Sequence, residues 1–138
     1  MITNVSVVGV YVRDELAALK FYTDVLGFQQ HTYDAFGDYL ESPRWITVTP
    51  KDQPNLELSL HNPLKWNSEE EAEKMLSTIG YSPLIRLTTS NIEEKYKMLI
   101  EKGVTFLTPP MEEEWGTQTV FQDLDGNRFC LVEHKKGA

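Results

Sequence analysis

One supersecondary pattern occurs twice along this chain, and it constrains the fold more than any single residue does. Each copy reads as an apolar strand, a helix with a Tyr on its inner face, a Gly, another strand and then a β-hairpin. The first runs through Val5–Val12, a helix from Asp14 carrying Phe21, Tyr22 and Leu26, then Gly27-Phe28, and paired strands at Trp45–Thr49 and Leu56–Leu60. The second runs through Leu84–Thr88, a helix from Asn91 carrying Tyr96 and Leu99, then Gly103-Val104, and strands at Thr117–Gln122 and Phe129–Glu133. Each half is too small to bury its apolar face alone, so two modules are expected, 1–62 and 82–138, joined by a helical connector over 63–81. Function is expected where the two halves meet.

Alternation assigns the strand faces. In Leu56–His61 the period of two puts three leucines on the side that covers the helices and Glu57, Ser59 and His61 on the other. The second copy places Phe129 and Leu131 on one face and Cys130, Val132 and His134 on the opposite one. In the opening strands Val7, Gly9 and Tyr11 share a face, as do Leu84, Arg86 and Thr88. The repeat register then matches Val7 to Leu84 and Glu57 to Cys130.

The helices carry clear start and stop signals. Asp14 caps a first helix with Leu16, Leu19, Phe21, Tyr22, Val25 and Leu26 spaced for burial, and Gly27 ends it. Asn91 caps the second, which directs Tyr96, Leu99 and Ile100 inward and stops at Gly103. In the connector, Asn67 or Ser68 opens a helix whose acidic first turn, Glu69–Glu71, suits the positive end of its dipole. Asp123–Asn127 is the tip of the last hairpin, with Asp-Gly as its turn chemistry.

Composition narrows the classes of partner. The chain has 138 residues, with 13 Lys and Arg against 21 Asp and Glu, and a formal charge of -8. That balance argues against nucleic acid and against an anionic membrane. No apolar run approaches the roughly 18 residues of a membrane span, and no basic, apolar leader precedes the first strand, so a cytoplasmic protein is expected. The single Cys130 excludes an intramolecular disulfide.

Phe21–Phe28, Arg44–Val48, Leu56-Glu57-Leu58, Trp115-Gly116 and Asp123–Phe129 together resemble the vicinal oxygen chelate superfamily, which contains glyoxalases, extradiol dioxygenases, fosfomycin-resistance enzymes and bleomycin-resistance proteins. The resemblance covers nearly the whole chain. It implies an α+β fold in which two βαβββ modules form a half-open barrel around a central cavity, commonly in a homodimer. It implies little about activity, because this fold hosts many chemistries.

The metal enzymes of that superfamily hold a divalent ion with residues from the first and last strands of each module. The corresponding positions here are Val7, Glu57, Leu84 and Cys130, and only Glu57 is a usual ligand type. Cys130 suits a soft metal, whereas a glyoxalase or dioxygenase metal prefers imidazole and carboxylate. His61 and His134 share faces with Glu57 and Cys130 but lie four strand residues away, roughly 13 Å, and His31 has no evident partner in sequence. The three histidines therefore read as rim or surface residues, and no bound metal or other cofactor is expected.

The cavity face that this arrangement implies is mostly apolar with a few polar anchors, the usual make-up of a small-molecule site. Tyr11, Trp45, Thr47, Arg86, Trp115 and Cys130 are the candidate ligand-binding residues, and Glu57 the candidate base. Glu57 and Arg86 either pair with each other or meet a ligand. The acidic run Glu112–Glu114 is expected to face solvent. Two functional classes stay open: a metal-free protein that binds a small organic molecule, such as a toxic or antibiotic compound, and a lyase, isomerase or dioxygenase that uses Glu57 or a metal. A regulatory module that kept the fold without the pocket is a third.

Overall fold

The computed structural model describes residues 1–135 and is an α+β protein built on two mixed sheets and four α-helices. The chain divides into two compact units, Met1–Ile79 and the part from Gly80 onward.

In the first unit the order is β1 (Val7–Tyr11), α1 (Glu15–Lys20), β2 (Gln29–Ala35), β3 (Arg44–Thr49), β4 (Glu57–His61), α2 (Pro63–Trp66) and α3 (Glu69–Leu76). The strands lie side by side as β1-β4-β3-β2, with β1 parallel to β4 and the others antiparallel. The Asp14 carboxylate accepts from the backbone N–H groups of Leu16 and Ala17 and so starts α1, as its position in the sequence predicts. The helix does not run uniformly to Gly27, because Phe21–Val25 widens into a π-helical turn. Gly27 then takes a positive φ of 83° and reverses the chain. Within this stretch Tyr22 is wholly buried, with its ring edge-on to Phe21 and Phe28 at 5.8 Å in each case. Val10, Val12, Ile46, Val48, Leu58 and Leu60 complete this core. Leu16, expected inside, is 36% exposed.

A buried ion cluster ties α1 to the rest of the unit. Glu15 is 2% exposed and receives Arg44 Nη1 at 3.3 Å, Lys65 Nζ at 2.9 Å and Asn62 Nδ2 at 3.1 Å. The same two cations donate to the Leu40 carbonyl at 3.1 Å and 2.7 Å, so the segment between β2 and β3 is held to α1 and α2.

In the second unit the order is β5 (Ile85–Thr88), α4 (Ile92–Glu101), β6 (Thr105–Phe106), β7 (Met111–Glu113), β8 (Gly116–Gln122) and β9 (Arg128–His134). The sheet runs β5-β9-β8-β6, and β7 pairs the other half of β8's free edge. Phe121 and Phe129 stack at 5.6 Å, and with Ile92, Leu99 and Val104 they form the core between α4 and the sheet. Ile100 was expected to point inward but is 46% exposed; Tyr96 instead turns to Phe106, ring centroids 4.6 Å apart. Glu112 and Glu113, read as part of a solvated run, belong to β7 and pair with Thr117 and Gly116, while the Glu112 side chain stays exposed.

The repeat is not in register at the candidate positions. Val7 lies opposite Glu57, but Cys130 lies opposite Arg86 rather than Leu84. Glu57 opens β4, whereas Cys130 is the third residue of β9. The first pair of strands ends with Val12 N–H bonded to the His61 carbonyl, and the second with Thr89 N–H bonded to the Val132 carbonyl. Counted from those bonds, Ser59 is the counterpart of Cys130 and Arg128 that of Glu57. Similar motifs, Leu-Glu-Leu and Phe-Cys-Leu, therefore stand at different heights in their sheets.

Candidate ligand-binding site

The face of the first sheet that carries Glu57 is polar at its centre and aromatic at one end. Gly9, Ser59, Thr47 and Thr32 form one row across all four strands, through the pairs Gly9↔Ser59, Thr47↔Ser59 and Thr32↔Thr47. Two residues further along, Tyr11 pairs with His61, and Trp45 pairs with Asp34. Thr47 is fully buried and Ser59 is 4% exposed, so the hydroxyls of this row need partners within the protein.

Glu57 supplies much of that satisfaction. Its Oε1 accepts from Thr47 Oγ1 at 2.6 Å and from Thr32 Oγ1 at 3.5 Å, and it lies 2.8 Å from His31 Nδ1, which also meets Thr32 Oγ1 at 3.0 Å. Thr47 Oγ1 in turn accepts from the Thr32 backbone N–H at 3.1 Å. The partner of His31, not evident in sequence, is thus the candidate base itself. The reason is a β-bulge: the β2–β3 register shifts between Gln30 and Thr32, which leaves His31 as an extra residue. Strict alternation would put His31 and Thr32 on opposite faces, and the bulge lets both reach Glu57. A run of Gln-Gln-His-Thr on an edge strand carries no signal for this.

The aromatic end is continuous. Tyr11 and His61 have centroids 6.0 Å apart, His61 stacks on Trp66 at 6.1 Å with 19° between planes, and Trp66 meets Phe36 edge-on at 5.6 Å. Trp66 is 38% and Phe36 60% exposed. Burial pushes the His61 imidazole below its ordinary pKa, partly offset by a hydrogen bond to Asn67, so it is neutral near pH 7. Trp45, expected as a pocket wall, is half-buried on the same face. Phe36 was not among the residues singled out from the sequence, and Trp66 was one of three tryptophans that could stack on a planar ligand but ranked behind Trp45, since α2 and the segment after β2 offer no pattern that places either beside Tyr11.

On the second unit, Cys130 is 1% exposed and its Sγ donates to Gln118 Oε1 at 3.4 Å. Burial pushes the thiol pKa up, against the pull of the Arg86 charge, which makes it a poor nucleophile. Arg86 is exposed on the neighbouring strand. Trp115, 39% exposed in the turn just before β8, leans on His134 with centroids 5.7 Å apart. A cleft of about 280 Å³ on this unit is lined by Tyr81, Leu84, Leu107, Val120 and Arg128, among others. Arg128 lies two residues before Cys130 and hence on its face.

Among the described residues, no three His, Cys, Asp or Glu side chains come together to hold a metal ion. Of Val7, Glu57, Leu84 and Cys130, Glu57 alone is a usual ligand for a hard metal ion, and its Oε1 already accepts from Thr47 and Thr32. No helix among the described residues is long and apolar enough to cross a membrane.

A βαβββ unit with a mixed four-stranded sheet, followed by a unit of the same kind with one short extra strand, defines the class. The chain belongs to the Glyoxalase/Bleomycin resistance protein/Dioxygenase superfamily, whose family model matches residues 4–131. It is 35% identical over 131 residues to the uncharacterized protein YurT of Bacillus subtilis (strain 168), covering 94% of this chain and 98% of that one. Among solved structures, UcmS2 is 32% identical with a TM-score of 0.82, covering 96% of this chain and 98% of that one. TnmS3, an antibiotic binding protein from Streptomyces sp. CB03234, is 26% identical with a TM-score of 0.72, covering 97% of this chain and 98% of that one.

Proposed function

We propose that this protein binds a small, planar organic molecule without a metal, and that the ring series Tyr11–His61–Trp66–Phe36 is the surface it stacks on. That series is the observation that carries the reading. It leaves aromatic faces partly in water beside a polar row, an arrangement that a second flat ring can cover with gain of both apolar burial and ring–ring contact. The likeness to an antibiotic binding protein, TnmS3, supports it. Tyr11 and Trp45 would contact the ligand on this face, whereas Thr47 and Cys130 are buried too completely to reach it. A homodimer is the expected assembly, measured by light scattering.

Planar aromatic compounds titrated into the protein should quench its Trp fluorescence saturably. Trp66→Ala should weaken binding about tenfold, the scale of one lost ring contact with its buried area, whereas Leu124→Ala, on an exposed turn, should leave it unchanged. Equal affinity for Trp66→Ala and the wild-type protein would place the ligand elsewhere.

A further inference from the structure

The bulge in β2 holds chemistry that the stacking surface leaves unused. We infer that His31 and Glu57 form a proton-accepting pair, and that the ligand of this face presents an ionisable hydroxyl on a planar ring or enol, which gives its proton to His31 Nε2. The inference rests on the stacking surface proposed above and adds to it what the ligand must carry.

The hydrogen bonds determine the roles. His31 Nδ1 faces two oxygens, Glu57 Oε1 at 2.8 Å and Thr32 Oγ1 at 3.0 Å; the carboxylate only accepts and the hydroxyl proton goes to Glu57, so the ring proton belongs on Nδ1. The neutral ring then has its lone pair on Nε2, on the opposite side of the imidazole. Glu57 is itself a poor candidate for taking the proton, because Thr47 and Thr32 donate to the same oxygen that His31 faces. It acts as a positioning residue: it fixes the tautomer and steadies the imidazolium once formed. The His31 side chain is 47% exposed and the Glu57 side chain 21%, so the accepting nitrogen is reachable while its support is held within the sheet. In the transfer, the ligand O–H bond breaks, an N–H bond forms at Nε2, and the electron pair stays on the ligand oxygen. The product is an oxyanion beside an imidazolium that Glu57 partners.

4-Nitrophenol, whose anion absorbs at longer wavelength than its neutral form, and its methyl ether 4-nitroanisole make a matched pair of probes. At a pH below the phenol's own pKa, the wild-type protein should bind 4-nitrophenol as the anion and about tenfold more tightly than the ether, the worth of one hydrogen bond to a charged group. In His31→Gln and in Glu57→Gln the anion band and the preference should both vanish. Binding of the two probes with equal affinity, or of the phenol in neutral form, would overturn the proton-accepting pair while leaving the stacking surface in place. Binding of neither would overturn both. Independently of any ligand, nitrogen NMR should show His31 as the Nδ1–H tautomer at neutral or higher pH, and an Nε2–H tautomer would overturn the pair outright.

Discussion

Glu15 is the residue on which the first module's stability depends most sharply. Burial opposes its charge, but hydrogen bonds from Lys65, from its own backbone N–H and from Asn62, with the Lys65 charge, outweigh that and hold its pKa below the ordinary carboxylate value. A folded-state pKa below the unfolded one contributes stability that is present above the unfolded value and lost as pH falls through the folded one. Denaturant melts of the wild-type protein should therefore weaken on acidification, and Glu15→Gln should flatten that dependence. At neutral pH the same substitution should cost about 3 kcal/mol, since Arg44 and Lys65, both largely buried, lose their anion. For His61 the proton titration followed by NMR should have its midpoint below the ordinary 6.5 or so of a free imidazole; a midpoint above it would mean that the ring is not desolvated as the stack requires.

The turn between β8 and β9 shows how one residue can organise an element. Asp123 is 5% exposed, and its carboxylate accepts from the backbone N–H of Asp125 and Asn127 at 2.9 Å each and from Asn127 Nδ2 at 2.8 Å. Asp123→Ala should lower stability by about 2 kcal/mol in denaturant melts, through lost hydrogen bonds to a charged group; a loss within error of zero would show that the backbone bonds across the turn suffice. This turn was readable in the sequence, as were the caps at Asp14 and Asn91, because each depends on chemistry within four or five residues. The aromatic Tyr22 and the alternating leucines of β4 were readable for a similar reason, since burial follows local periodicity. What could not be read depends on pairing between distant strands. The bulge at His31 exists only against β3, the offset of Cys130 only against β5, and the approach of Trp66 to His61 only once α2 has folded back over the end of β4. The polar centre of the site was thus half visible, through Thr47 and Glu57, and its imidazole was not.

At the scale of the whole molecule, the formal charge of -8 acts on everything at once. Self-repulsion should make the melting temperature rise as salt is added from low ionic strength to about 0.15 M, where the screening length is about 8 Å. A fall over that range would mean that the attractive clusters, Glu15 with its cations foremost, outweigh the excess of acid. The lone sulfhydryl of the chain reports on the molecule differently. Cys130 is sealed in the middle of β9, with its thiol pushed away from the reactive anion. A maleimide or disulfide reagent added to the folded protein can react only as fast as that strand opens. The unmodified chain thus carries a built-in clock for the opening of its second sheet, and a cysteine introduced on the exposed Leu124 turn would take up a fluorophore with the native thiol as a silent bystander.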